Sequence, residues 1–281
     1  MNGFLNIYKP KGVTSAYCLS KVKKIINYKC GHLGTLDPLA CGILPVAVGQ
    51  ATRLFDIMLD KQKKYVAGFT FGSETDTLDL EGKVVYQDGR IPSKDEIIDL
   101  LPDFLGKQAQ VPPAFSAKCV DGKKSYKLAR QGKSVDLKPK EIEIYDIKLL
   151  KDESPLFIFE ITCGGGTYIR SIARDMGRRL GTYCTMTSLE RTECGYFTKQ
   201  NSVTVEQLNG DNLSELLIAS DAVLPFEKVE LNETFATRLL NGLYDEFDYP
   251  DGRYRVYVKG EFWGVGNVSD KKLVIRPYVR G

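Results

Sequence analysis

The sequence predicts an α+β protein: a central mixed, mainly antiparallel sheet flanked by helices, with a small β module at the C-terminus. Three observations lead there. Between residues 3 and 226, β-rich runs and amphipathic helical runs alternate irregularly, without the regular strand–helix spacing of a parallel α/β sheet. Past about residue 226 the pattern breaks into short β-rich pieces divided by turns. The chain has 281 residues, 43% hydrophobic and 27% charged, which suits one large domain with a smaller one attached.

FLNIY at 4–8 reads as a short strand, ended by the turn Lys9-Pro10-Lys11-Gly12. Thr14 or Ser15 can cap the next helix, whose apolar positions are Leu19, Val22, Ile25 and Ile26. A loop, GHLGTLDPLACG at 31–42, leads to the apolar strand Ile43–Val48, and Thr52 to Leu59 suggests a short helix. KYVAGFTFG at 64–72 alternates as a half-buried strand and Val84 to Tyr86 is its return. The polar stretch 73–82 between them reads as a solvated hairpin loop. Helical periodicity returns at 94–105. Residues 109–140 are proline- and lysine-rich, then helical near 124–131, and read as an insertion leaving the core.

Two further strands cover 141–149 and 156–163. Gly164-Gly165-Gly166-Thr167 then opens a helix whose stripe is Ile169, Ile172, Ala173, Met176 and Leu180, stopping at Gly181. In the C-terminal part a short helix ends at Leu239-Leu240-Asn241-Gly242, and strands follow at 253–258, 261–266 and 272–276. The expected division is 1–226 and 227–281.

The net charge is +3, too small to name a nucleic-acid partner, yet the basic residues cluster. Lys118, Lys123, Lys124, Lys127, Arg130 and Lys133 form one group, and Arg170, Arg174, Arg178 and Arg179 another. Such patches hold phosphates or simply face solvent. Seven scattered cysteines with no C-x-x-C argue against a disulfide framework and a structural zinc site, and the single histidine excludes a histidine-rich metal centre. No apolar run is long enough for a membrane span, and the start lacks the layout of a secretory signal. A reduced cytoplasm fits.

Four places could carry chemistry. In the 31–42 loop, Gly31 and Gly34 allow unusual backbone paths and Pro38 pushes Asp37 away from α. Asp37 is then either a helix N-cap with Pro38 at the first helical position or a functional carboxylate, and His32 a hydrogen-bonded loop residue or a functional one. At 164–170 the glycine amides could receive a phosphate, although neither the G-x-G-x-x-G nor the G-x-x-x-x-G-K-[ST] pattern is present. Arg170 sits in a first helical turn, unfavourable for a cation, so it either reaches solvent or has an anionic partner. Asp76, Asp79 and Glu81 do not have calcium-loop spacing. Tyr65, at a strand start beside lysines, packs in the core or stacks on a nucleobase.

GHLGTLDPLACGILP at 31–45 closely resembles the catalytic motif of the TruB family, the bacterial tRNA pseudouridine-55 synthases. GFLNIYKPKGVTS at 3–15, KKYVAGFTFGSETDTLDLEG at 63–82, GTYIRSIARDMG at 166–177 and SLERTECGYF at 188–197 resemble its other motifs, in family order. The resemblance implies a pseudouridine-synthase fold over 1–226 with an RNA-clamping insertion at about 109–140. It also implies a PUA-like RNA-binding module over 227–281. It assigns the catalytic aspartate to Asp37, the active-site tyrosine that stacks on the target base to Tyr65, and the aspartate's arginine partner to Arg170, adjacent to Tyr168. Leu189 corresponds to the apolar residue against the uracil, His32 to the histidine filling the space of the extruded nucleotide, and Lys9 to a motif lysine near the site.

Pseudouridine formation is an isomerisation, with no redox change and no atom lost, so no cofactor or metal is expected. The implied partner is the T stem-loop of tRNA, with no guide RNA, no membrane and a monomeric enzyme. Two other readings stay open: a guide-RNA-dependent synthase sharing these motifs, and a non-catalytic tRNA-binding or folding factor. A nucleotide-dependent enzyme built on the 164–170 glycines lacks the phosphate-loop lysine.

Overall fold

A computed structural model describes residues 1–59, 62–115, 119–120, 123–124, 137–240 and 246–277. Strand β1 (Gly3–Lys9) runs into helix α1 (Ser15–Ile25), whose cap is Thr14, accepting from the Tyr17 amide at 3.0 Å. β2 (Cys30–His32) and β3 (Cys41–Val48) follow, then a 3-10 turn over Gly49–Leu54 and α2 (Phe55–Leu59). β4 (Lys63–Phe71) leads into a hairpin of β5 (Ser73–Thr75) and β6 (Val84–Gln87). α3 (Lys94–Leu100) opens with the reciprocal cap of Ser93 and Glu96. It tightens to 3-10 over Leu101–Phe104, where Pro102 cannot continue an α-helix.

β7 (Gly106–Gln110) therefore begins the expected insertion inside the sheet, not outside it. The helix read near 124–131 lies largely outside the described residues. Lys123–Lys124 (β9) instead pairs with Cys119–Val120 (β8), so no helix starts there. β10 (Lys140–Glu153) and β11 (Leu156–Cys163) form a hairpin; β11 has the bounds read from the sequence, and β10 is longer at both ends than the 141–149 marked by periodicity. α4 (Ile169–Arg179), β12 (Cys184–Cys194), β13 (Phe197–Thr198) and the single turn α5 (Leu213–Leu216) complete the larger part.

The main sheet runs in the order β1-β3-β12-β4-β11-β10-β7. Its pairings are antiparallel except β3 against β12, which touch in parallel at only two register pairs, Glu190 with Cys41 and Arg191 with Gly42. Strand alternation distributes the core. Leu5 and Ile7 face α1 and meet Cys18 and Val22, whereas Phe4 packs on the other side with Ile43, Ala47 and Phe197. α4 lays Ile172, Ala173 and Met176 on a cluster containing Phe69, Phe157, Phe159 and Ile161. A fully buried aromatic or aliphatic side chain contributes about 1.5–3 kcal/mol, which fixes the helix on the sheet.

The C-terminal sheet is β14 (Glu227–Leu231), β15 (Gly252–Val258), β16 (Glu261–Ser269) and β17 (Lys272–Pro277) in that order, closed by helix α6 (Glu233–Leu240). It has its own core of Val229, Ala236, Val256, Val268 and Leu273. It is also tied to the larger part. Val265 and Phe262 join the Phe4 cluster, Tyr257 Oη donates to Asp221 Oδ2 at 2.6 Å, and Arg255 Nε donates to the Phe226 carbonyl at 2.8 Å. Among the described residues no helix is long and apolar enough to cross a membrane.

Candidate active site

The 31–42 segment is pinned from several sides. The Leu33 amide donates to Pro45 O at 2.8 Å, and Ser15 Oγ both accepts from the Leu36 amide and donates to the Leu36 carbonyl, each at 2.9 Å. The Gly12 amide donates to Pro38 O at 2.8 Å. Leu36, Leu39 and Ala40 are buried in the α4-side core. With those side chains inward, Asp37 is left facing an open cavity of about 890 Å³. No helix follows Pro38: the Ala40 amide closes a turn on Asp37 O at 3.0 Å and β3 starts at Cys41, so Asp37 is not a helix cap.

Arg170 does not reach solvent. It is 6% exposed, and its guanidinium lies 3.0 Å from Asp37 Oδ2 and 3.3 Å from Asp79 Oδ2. It also donates to the carbonyls of Thr77 at 3.0 Å and Phe115 at 3.1 Å. The cation in a first helical turn is thus held by two carboxylates and two carbonyls, which outweighs the dipole penalty.

Asp79 corrects the reading of 73–82 as a solvated loop. It is 2% exposed, with Oδ1 accepting from Thr77 Oγ1 at 2.6 Å and from the Glu81 amide at 3.0 Å. Leu78 and Thr75 are buried beside it. The signal available in the sequence was Leu78, an apolar residue inside a polar loop that burial would draw inward.

Tyr65 on β4 and Leu189 on β12 line the same cavity and are nearly buried. Arg191, two residues beyond Leu189 and so on the same strand face, is 1% exposed. It hydrogen-bonds Tyr65 and donates to the carbonyls of Ile43 at 2.7 Å and Gly34 at 3.4 Å. Arg191 stands in the 188–197 motif with no role assigned, and the sequence carried no signal of its burial because no strand is legible at 184–194. Gly42 is the other requirement of this crossing, because a Cβ there would lie 2.2 Å from Arg191 O and its φ is +107°.

Tyr168 lines the cavity beside Arg170, its amide donating to Gln110 Oε1 at 2.9 Å and its carbonyl accepting from Gln110 Nε2 at 3.1 Å. Lys9 and His32 stand outside the lining. Lys9 is fully buried behind the loop, its ammonium donating to the carbonyls of Pro10 at 2.9 Å and Val13 at 2.7 Å. His32, half-buried on β2, has an Nδ1 that meets no protein partner among the described residues.

Burial pushes the Asp37 carboxyl above the ordinary carboxylate range, and Asp79 adds to the rise. Arg170 and Lys9 pull it back without cancelling it. Arg170, the partner that the resemblance assigns to Asp37, thus favours the ionised form only as an opposing pull. The side chain is 36% exposed in the open cleft, so water screens both effects. Burial pushes the Tyr65 phenol up, keeping it neutral, and burial with the Arg191 charge pushes the His32 imidazole down. Among the described residues no three His, Cys, Asp or Glu side chains gather to ligate a metal. The arrangement is a carboxylate on a guanidinium, next to a flat aromatic and an apolar wall.

Comparison with known proteins bears on the family and the fold. A profile described as TruB family pseudouridylate synthase (N terminal domain) matches residues 21–169, and one described as tRNA pseudouridylate synthase B C-terminal domain matches 170–229. Proteins named tRNA pseudouridine synthase B are 41% identical in Clostridium novyi and 39% in Clostridium tetani, each match covering 98% of both chains. Among solved structures, chains in an H/ACA RNP bound to a substrate RNA containing 2′-deoxyuridine and in an archaeal box H/ACA Nop10–Cbf5 complex superpose with TM-scores of 0.70 and 0.72. They are 23% and 21% identical, covering 99% of this chain and 84% and 86% of theirs. At that identity the likeness speaks for the fold.

Proposed function

The chain belongs to the TruB family of pseudouridine synthases, and from that premise we propose that it converts uridine 55 in the T loop of tRNA to pseudouridine, without a guide RNA. It is an isomerase acting on tRNA, as its named relatives are. One observation carries the site assignment: the Asp37 carboxylate, held at 3.0 Å by a buried arginine, opens into a cavity walled by Tyr65 and Leu189.

The reaction breaks the N1–C1′ bond, turns the uracil and joins C5 to C1′. As the bond breaks, C1′ becomes electron-poor, and a carboxylate beside it stabilises that charge or attacks it. A route through a glycal, in which the carboxylate removes a ribose proton, needs the same ionised group. Arg170 orients Asp37, and Asp79 holds Arg170 from the far side. The target base leaves its stack at a cost of a few kcal/mol, offset by a stacking face and edge contacts in the pocket. Tyr65 supplies the face and Leu189 the wall, and the Tyr65 phenol, lining the same cavity, helps move the C5 proton.

Lys9 and His32 act from behind the lining: Lys9 as a buried charge that holds the Pro10–Val13 turn, His32 beside the position the nucleotide vacates. The C-terminal sheet serves as the PUA-like RNA-binding module, and the basic stretch around 118–140 clamps the RNA. The described cysteines are free thiols, which supports work in a reducing cytoplasm; the enzyme is read as a monomer.

The deciding experiment maps pseudouridine in tRNA treated with purified wild-type or Asp37→Asn protein, with no other RNA present. Modification at position 55 by wild type and none by the variant, at matched RNA binding, is expected. Equal modification by both would remove Asp37 from the chemistry, and none by wild type would remove the function.

A further inference from the structure

The glycine turn between β11 and α4 has no part in the chemistry above, yet it lines the same cavity as Asp37 and Tyr65. Its ends are satisfied: the Gly164 amide donates to Glu143 O at 2.9 Å, Thr167 Oγ1 donates to Gly164 O at 3.0 Å, and the Tyr168 amide is taken by Gln110. The amides of Gly165, Gly166 and Thr167 meet no protein acceptor among the described residues. Gly166 has a φ of +83°, and successive amides around a left-handed residue form a concave seat for an anion. Above the turn stands Lys140, the first residue of β10. A Cβ on Gly166 would lie 2.6 Å from its Nζ, and the Lys140 ammonium makes no ion pair or hydrogen bond among the described residues.

The reaction creates a need for such a group. Once the glycosidic bond is broken, the uracil must turn freely, so Tyr65 and Leu189 no longer position the ribose. During that interval, on any route without an Asp37–C1′ bond, the sugar's phosphodiesters are what keep C1′ over Asp37. We infer that Lys140, with the Gly165–Thr167 amides, seats an RNA backbone phosphate adjacent to the target nucleotide and thereby holds the ribose while the base rotates. This rests on the synthase reading. A free mononucleotide is a poorer occupant, because the turn lacks the phosphate-loop lysine and serine or threonine.

The test is a chemical double-mutant cycle. T stem-loop RNAs carrying a single neutral methylphosphonate at each phosphate flanking the target are bound to wild type, Lys140→Met and Lys140→Arg. Lys140→Met is expected to lower kcat/KM about tenfold, the order of one lost charge-assisted phosphate contact, with Lys140→Arg restoring most of it. One methylphosphonate position should weaken wild-type binding by a similar factor and Lys140→Met hardly at all. The slope of log affinity against log salt should fall by about 0.7 in Lys140→Met.

Additive penalties at every position overturn the seat, as does an unchanged salt slope. Saturable binding of inorganic phosphate or uridine monophosphate, lost in Lys140→Met without coupling to the RNA, would assign the turn to a free anion instead. If wild type neither binds nor modifies the RNA, it is the synthase reading that fails. With wild type active, a negative cycle fails the phosphate seat alone.

Discussion

Asp37 is one carboxylate under opposing influences, and two of them can each be removed by a substitution. Burial and Asp79 raise its pKa, while Arg170 lowers it. The active form is ionised, so rate falls as pH drops through that raised pKa. In Arg170→Gln the lowering charge is gone, the pKa climbs further, and the acid limb of the single-turnover pH–rate profile should move to higher pH. In Asp79→Asn a raising charge is gone, and the limb should move to lower pH. Both variants should also be slower at neutral pH, by about tenfold or more, because the positioning of the carboxylate is loosened. Two slow variants whose profiles shift the same way would contradict this balance. Tyr65→Phe keeps the aromatic face and loses the hydroxyl that Arg191 holds. RNA affinity should change less than about threefold while turnover falls about a hundredfold, the order of one general acid–base contribution. Equal losses in a binding assay and a tritium-release assay would confine Tyr65 to stacking.

The decisive element is the crossing of β3 and β12. Gly42 lets the two backbones approach, and Arg191 fastens β12 to Ile43 O and Gly34 O. Gly42→Ala would set a Cβ 2.2 Å from Arg191 O in left-handed backbone. The expected cost is about 3 kcal/mol or more, since overpacking and backbone strain each contribute about 1–3 kcal/mol. Thermal unfolding should show it, and a variant within about 0.5 kcal/mol of wild type would mean that the strands can part without harm. This level also shows how much was legible in sequence. The strands at 4–8, 43–48, 64–72, 141–149, 156–163 and 253–276 and the helices after Thr14 and Thr167 stood out because alternation and helical stripes report burial directly. β2, β5 and β7 did not, since three to five residues of mixed polarity carry no period. Asp37 and Arg170 were legible through a resembled motif. Asp79 was hidden because its burial comes from the fold of the 73–82 hairpin, and Arg191 because a cation within a strand reads as solvent-facing until the strand has neighbours on both sides.

At the scale of the whole molecule, the C-terminal sheet is both a separate core and a lid on the Phe4 cluster. A protein ending at residue 226 should bind tRNA more weakly than the full chain while slowing bound-state chemistry less. It should also melt at lower temperature, because Phe262, Val265 and the Tyr257–Asp221 hydrogen bond are lost. Binding, single-turnover rate and thermal unfolding of the truncated chain separate these effects; unchanged binding would remove the module from RNA recognition. The basic stretch between 118 and 136 falls mostly outside the described residues, so its part in clamping rests on charge alone.

The two-residue parallel contact between β3 and β12 has a consequence in time. Asp37 is translated early, but its guanidinium partner arrives at Arg170 and the strand that locks the loop at Arg191. At roughly 5–20 residues per second, a ribosome needs on the order of ten seconds to supply them. A nascent polypeptide thus carries the carboxylate without the scaffold that aims it, and competence begins only once Arg191 has been made and β12 can pair. Closing so long a chain segment should also make this juncture the slow step of refolding.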